Sequence, residues 1–184
     1  MDVYPLVEAA AKTHHVPQVA LLAVLQAESG LNPTAERWGD RTADAVSQID
    51  DTVYLNKLII DLDLRGLDAD ISFGMSQITV GTAAAYGIGN GIASVVNCLE
   101  ARSLLFCRKT AINAGAQHLQ KCYTVVDRCP LDLWPQLSED RDLAALVVYN
   151  AGHLPDPRNT WWTRWAGNVA SYQRALEWAK GILG

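Results

Sequence analysis

The sequence predicts a mainly α-helical protein of a single domain, spanning residues 1–184, and three observations carry that expectation. Seven consecutive apolar residues, Val19 to Leu25, leave no polar face, as in a helix buried on every side. Elsewhere, apolar residues recur at the three- and four-residue steps of a helix. Strict alternation of apolar and polar residues, the mark of a half-buried strand, is scarce. A chain of 184 residues suits one domain and can bury a sizeable core.

Taken in order, the elements have recognisable punctuation. Pro17 suits a first helical turn, and Gly30 with Asn32-Pro33 supplies a stop, so a buried helix is expected over 16–29. Between residues 40 and 64, Val46, Ile49, Val53, Ile60 and Leu64 keep helical spacing, although 58–64 also reads as a strand. Thr79 is placed to cap a short helix that ends at Gly87. Helices are expected over 92–106 and 108–122. Ser138, followed by Glu139 and Asp140, offers a cap and two anions to a helix running through 143–148 to Gly152. A last amphipathic helix covers 168–182, and no internal repeat or low-complexity segment is present.

Composition narrows the function. With 15 basic and 20 acidic residues, the net charge of −5 argues against a nucleic-acid partner. The run from Val19 to Leu25 falls far short of the roughly 20 apolar residues that span a bilayer. The start of the chain, Met1 to His15, lacks a basic segment followed by an apolar block, so no signal peptide is expected. Cys98, Cys107, Cys122 and Cys129 form no close Cys-x-x-Cys pair, so neither a metal nor another cofactor is expected. They fit two disulfides in an oxidising compartment or four thiols in a reducing one. Of the three pairings, 98–107 with 122–129 is preferred, because each closes a short loop.

The informative residue is Glu28. It closes an otherwise apolar helix, where burial disfavours the charged carboxylate. It also lies in the last helical turn, where the negative end of the dipole acts in the same direction. Both effects raise the pKa, as a general acid near neutral pH requires. Alone, such a residue is more simply a side chain that reaches solvent at a helix end.

Its context adds weight. Glu28-Ser29-Gly30, Asn32-Pro33, Phe73-Gly74-Met75-Ser76-Gln77-Ile78 and Val148-Tyr149-Asn150-Ala151-Gly152 occur in that order. This series resembles the soluble lytic transglycosylase family of the lysozyme-like superfamily. That family carries Glu-Ser at a helix end, a Gly-x-x-Gln turn and an Ala-Tyr-Asn-Ala-Gly block. Asn113, Gly115, His118 and Leu119 resemble a further helix of the family with shortened spacing, and Tyr172 with Leu176 resembles its closing helix. The resemblance covers roughly residues 4 to 180 and implies a lysozyme-like fold with an insertion at 34–71.

It implies that Glu28 is the catalytic acid and base, cutting the β-1,4 bond between N-acetylmuramic acid and N-acetylglucosamine in peptidoglycan. The muramic C6 hydroxyl would then close on C1, leaving a 1,6-anhydro end. Gly74, Met75 and Gln77 would meet the sugars, Ser29 the acetamido group, Tyr149 either Glu28 or the reacting sugar, and Asn150 would fix the neighbouring loop. Met75-Ser76 stands where the family often has Leu-Met, and His118 where it has Tyr. Of the acids Asp61, Asp63, Asp68 and Asp70, the last is a candidate second acid, since goose-type lysozymes carry acids in this part of the chain. That leaves hydrolysis as an alternative. Trp161 and Trp162, with Trp165 nearby, suit a sugar platform or a helix core. The expected partner is the peptidoglycan glycan strand, with action outside the cytoplasm. The chain would be a phage tail or lysis product, part of a larger secretion-type assembly, or an exported bacterial enzyme. A rival is a wall-binding or virion module that keeps the fold without catalysis.

Overall fold

A computed structural model of the chain describes residues 2–38, 71–90, 95–129, 137–151, 154 and 162–184. The element expected over 40–64, most of the 34–71 insertion, Asp61, Asp63, Asp68, Asp70, Gly152 and Trp161 lie outside the described residues, as do the side chains of Cys98, Trp162 and Trp165. The described residues are mostly helical, in agreement with the predicted class. They group into two compact units, one of Met1–Glu28 with Gly115–Gly184 and the other of Ser29–Ala114.

The first unit opens with α1, Tyr4–His14, an element for which the sequence gives no distinct signal. Pro5 sits in its first turn, and His15 ends it in the left-handed region at φ 53°. Helix α2, Gln18–Ser29, comes next, with the Pro17 carbonyl accepting its first intrahelical bond. Every residue from Ala20 to Leu25 is wholly buried, as the all-apolar run requires. Gly30, at φ 61°, supplies the left-handed residue that ends it. This unit also holds α6, Arg141–Ala151, and α7, Trp162–Leu183. Residues Leu143 to Tyr149 are all buried, so α6 is a second helix with no wet face there.

Two expectations change. The cap of α6 is Asp140 rather than Ser138: its Oδ1 accepts from the Leu143 amide at 2.9 Å, while Ser138 is exposed. Leu137, wholly buried, anchors the chain just before that cap. Helix α7 begins six residues ahead of the expected 168, at Trp162.

The second unit is built on a three-stranded antiparallel sheet, β1 Glu36–Trp38, β2 Ile71–Phe73 and β3 Ile78–Thr79, in the order β1-β2-β3. Strands of two or three residues are too short to leave an alternating pattern, which is why the sequence does not reveal them. Glu36 pairs with Phe73, and Ser72 with Thr79. Thr79 caps α3, Val80–Ala85, by accepting from the Thr82 amide at 3.3 Å, and Gly87 lies beyond it at φ 74°. Helix α4, Val95–Leu105, brings Arg102 to Glu36, with Nε to Oε1 at 2.8 Å, and its guanidinium covers the Phe106 ring at 4.8 Å. Phe106 in turn meets Phe73 edge-on at 6.2 Å, which fixes the end of β2.

Helix α5, Arg108–Val126, is four residues longer than expected at its C-terminal end. Its residues Ile112, Ala116, Leu119, Tyr123 and Val126 form a buried stripe. Cys107, Cys122 and Cys129 are free thiols, so the preferred pairing is not formed. Cys122 lies within α5 and Cys129 beyond its end.

Candidate active site

Glu28 stands in the last turn of α2, half-buried, after the wholly buried run that ends at Leu25. The hydroxyl of Tyr172, on α7, donates to its Oε1 at 2.5 Å. Tyr172 is only 4% exposed, so its phenol is held by the core and its position is not free to wander. A short bond from a neutral donor to a carboxyl selects one orientation of that carboxyl. Tyr172 is a site residue that the sequence reading misses. Its signal is the match of Tyr172 and Leu176 to a closing helix, which carries no role with it.

Tyr149, near the end of α6, is 7% exposed, and Asn150 beside it is exposed. The His118 ring packs against the Tyr149 ring at 4.7 Å with an interplanar angle of 73°. The imidazole also makes a hydrogen bond to the Tyr149 backbone. Carbonyls in the last turn of a helix lack intrahelical partners, so this bond meets a real need of α6. Burial pushes the imidazole below its ordinary value, with the Tyr149 bond opposing. His118 thus stays neutral and serves as a wedge behind Tyr149, where the family's Tyr would stand.

In the second unit, Ser29 and the 74–77 turn are joined. The Ser29 hydroxyl donates to the Met75 carbonyl at 2.8 Å. Its proton is therefore committed to the protein, and an acetamido group would find only its lone pairs. Gly74 has φ 76°, and a Cβ there would lie 2.1 Å from the Leu105 carbonyl oxygen. Glycine is thus required at this position by both backbone and space. Met75 is 1% exposed, so its side chain belongs to the core and presents no surface to a sugar.

Gln77 has φ 47°, a left-handed conformation rarely adopted by a residue with a side chain. Its Nε2 donates to the carbonyls of Ala35 at 3.2 Å and Gly74 at 2.9 Å. Its Oε1 accepts from the Ser72 hydroxyl at 3.0 Å. Beyond the turn of the chain after α2, Asn32 Oδ1 accepts from the Thr34 amide at 3.0 Å, which explains the Asn-Pro signal as a side-chain-closed turn.

Among the described residues, no group of three or more His, Cys, Asp or Glu side chains is arranged to hold a metal ion. Nor, among them, is any helix long and apolar enough to cross a membrane. The family model described as Transglycosylase SLT domain matches residues 5–168. No curated protein and no solved structure matches the chain.

Proposed function

The chain belongs to the transglycosylase SLT domain family, whose members degrade peptidoglycan, and on that basis we propose that it cleaves the β-1,4 bond between N-acetylmuramic acid and N-acetylglucosamine with Glu28 as acid and then base. The observation that carries this reading is the 2.5 Å bond from Tyr172 to Glu28, a carboxyl held in one orientation at the end of a buried helix. Glu28 first gives its proton to the bridging oxygen, and the bond from muramic C1 to that oxygen breaks. The resulting carboxylate takes the proton of the muramic C6 hydroxyl, whose oxygen bonds to C1. Glu28 ends protonated as it began, and no water is consumed.

This chemistry needs one protein carboxyl, because the substrate brings its own nucleophile. Hydrolytic glycosidases use two, about 5–5.5 Å apart for retention and about 6.5–9.5 Å apart for inversion. Tyr149, wedged by His118, steadies the reacting sugar. Peptidoglycan lies outside the cytoplasm, so the enzyme acts there, as a phage product or as an exported protein.

The test is Glu28→Gln on purified peptidoglycan, with mass spectrometry of the released fragments. The parent should yield 1,6-anhydromuramic ends, and the variant should lose at least about a thousandfold in rate, in line with removal of a general acid. A variant as fast as the parent would overturn the assignment of Glu28 as acid and base. Reducing-end muramic acid, abolished in Asp70→Asn, would instead establish a goose-type hydrolysis.

A further inference from the structure

The Gly-x-x-Gln turn is the part of the second unit whose polar groups are most completely accounted for. A carboxamide has two N–H donors and one oxygen with two acceptor positions. In Gln77 both donors are taken, by the carbonyls of Ala35 and Gly74, and one acceptor position is taken by Ser72. The placement of nitrogen and oxygen is set by the network, since the opposite assignment would face oxygen against two carbonyls. Only one acceptor position is left for any ligand.

The two carbonyls that hold this amide also close the turn. Ala35 O accepts the Gly74 amide at 2.8 Å, and Gly74 O accepts the Gln77 amide at 3.2 Å. Each is therefore shared between a backbone N–H and the Gln77 side chain. The side chain also sits on a residue whose own backbone is left-handed, a conformation kept only where surrounding bonds impose it. Between Gly74 and Gln77 lies Met75, whose carbonyl receives the Ser29 hydroxyl. Ser29 is the last residue of α2, directly after Glu28.

We propose that Gln77 is a positioning residue and not a sugar contact: its carboxamide builds the turn that presents the Met75 carbonyl to Ser29, and so steadies the helix end that carries Glu28. The inference rests on the acid–base role given to Glu28 above. It explains why a polar residue occupies a strained position where glycine would fit the backbone without cost. Glycine would satisfy the dihedral angle but leave the Ala35 and Gly74 carbonyls without the amide that ties them together.

The test compares parent, Gln77→Glu, Ser29→Ala and the double variant on soluble uncrosslinked glycan strands, alongside amide hydrogen exchange. Gln77→Glu keeps size and the acceptor oxygen but removes both donors. It should lower kcat by about tenfold or more and change KM by less than about twofold. The double variant should be no slower than the slower single variant, because both substitutions break one chain of contacts. The amides of Gly74 and Asn32 should exchange about tenfold faster, with those of α6 unchanged. If Gln77→Glu does not fold, Gln77→Met and Ser72→Ala take its place, the latter with an effect of about threefold in the same direction.

A KM raised tenfold with kcat kept would make Gln77 a sugar contact and overturn the proposal. Unchanged exchange at Gly74 and Asn32 would overturn it as well. Glu28→Gln run in parallel separates the two readings. Should that variant be as active as the parent, the acid–base assignment fails while the exchange measurement still decides whether Gln77 holds the turn.

Discussion

At the scale of single residues, the site depends on groups brought to Glu28 and Tyr149 from far along the chain. Tyr172 reaches Glu28 across 144 residues of sequence, a pairing that no local pattern reveals. A hydrogen bond between neutral groups is worth about 0.5–1.5 kcal/mol, so Tyr172→Phe should lower kcat by about 2- to 12-fold. Rates of muropeptide release, with a thermal melt as control, measure this. His118 supports a second expectation. Burial holds its pKa below the ordinary 6.5, so the fold accommodates the neutral ring. Its contribution to stability is then complete above 6.5 and is lost as the pH falls through the lower folded value. His118→Gln should therefore cost most stability at about pH 7.5 and progressively less toward pH 5, read from urea unfolding at each pH. Glu28, Tyr149 and Gln77 are legible as candidates in the sequence. What each side chain touches is not, because contacts depend on chain segments that local spacing does not relate.

At the scale of elements, caps and close approaches decide where helices begin and how tightly the turn packs. Thr79 is legible as a cap because its hydroxyl acts three residues away, on Thr82. The α6 cap falls to Asp140 and not to Ser138, since both residue types satisfy the local rule and the sequence alone does not choose between them. Gly74→Ala should be strongly destabilising, by more than the roughly 1–2 kcal/mol of a left-handed alanine, because its methyl would overlap the Leu105 carbonyl. Calorimetric melting of the variant checks this. Helix α5 also sets thiol chemistry along its length. Cys107, exposed just before its first turn, has its thiol pKa lowered by hydrogen bonds from Thr110. Cys122, buried on its inner face, is pushed up to about 12 by burial. Iodoacetamide should modify Cys107 in the folded protein and Cys122 only after unfolding, as peptide mass spectrometry would show.

At the scale of the whole molecule, composition and charge bear on how the enzyme meets its substrate. A chain with net charge −5 has no general attraction for polyanions. The glycan backbone offers hydroxyl and acetamido groups and no charge, so binding to it as proposed would leave ionic strength little to screen. Raising salt from about 50 to 300 mM should change the half-saturating glycan concentration by no more than about twofold. Glycan-binding titrations at the two salt concentrations provide the check. The mainly helical class is legible because helical periodicity persists over long stretches. The small sheet stays hidden, since two or three residues carry no period.

The sequence by itself determined the fold class and the family, and it singled out the carboxyl proposed to carry the chemistry. All three rest on local order: an apolar run with one acid at its end, and four short motifs in a set order. Only the tertiary structure decided what those residues touch. It placed the Tyr172 hydroxyl on Glu28 and set His118 behind Tyr149. It buried Met75 and committed both donors of Gln77 to the protein's own carbonyls. The physical reason is that a hydrogen-bonding group has a finite number of partners, and which of them are taken is settled by packing rather than by spacing along the chain.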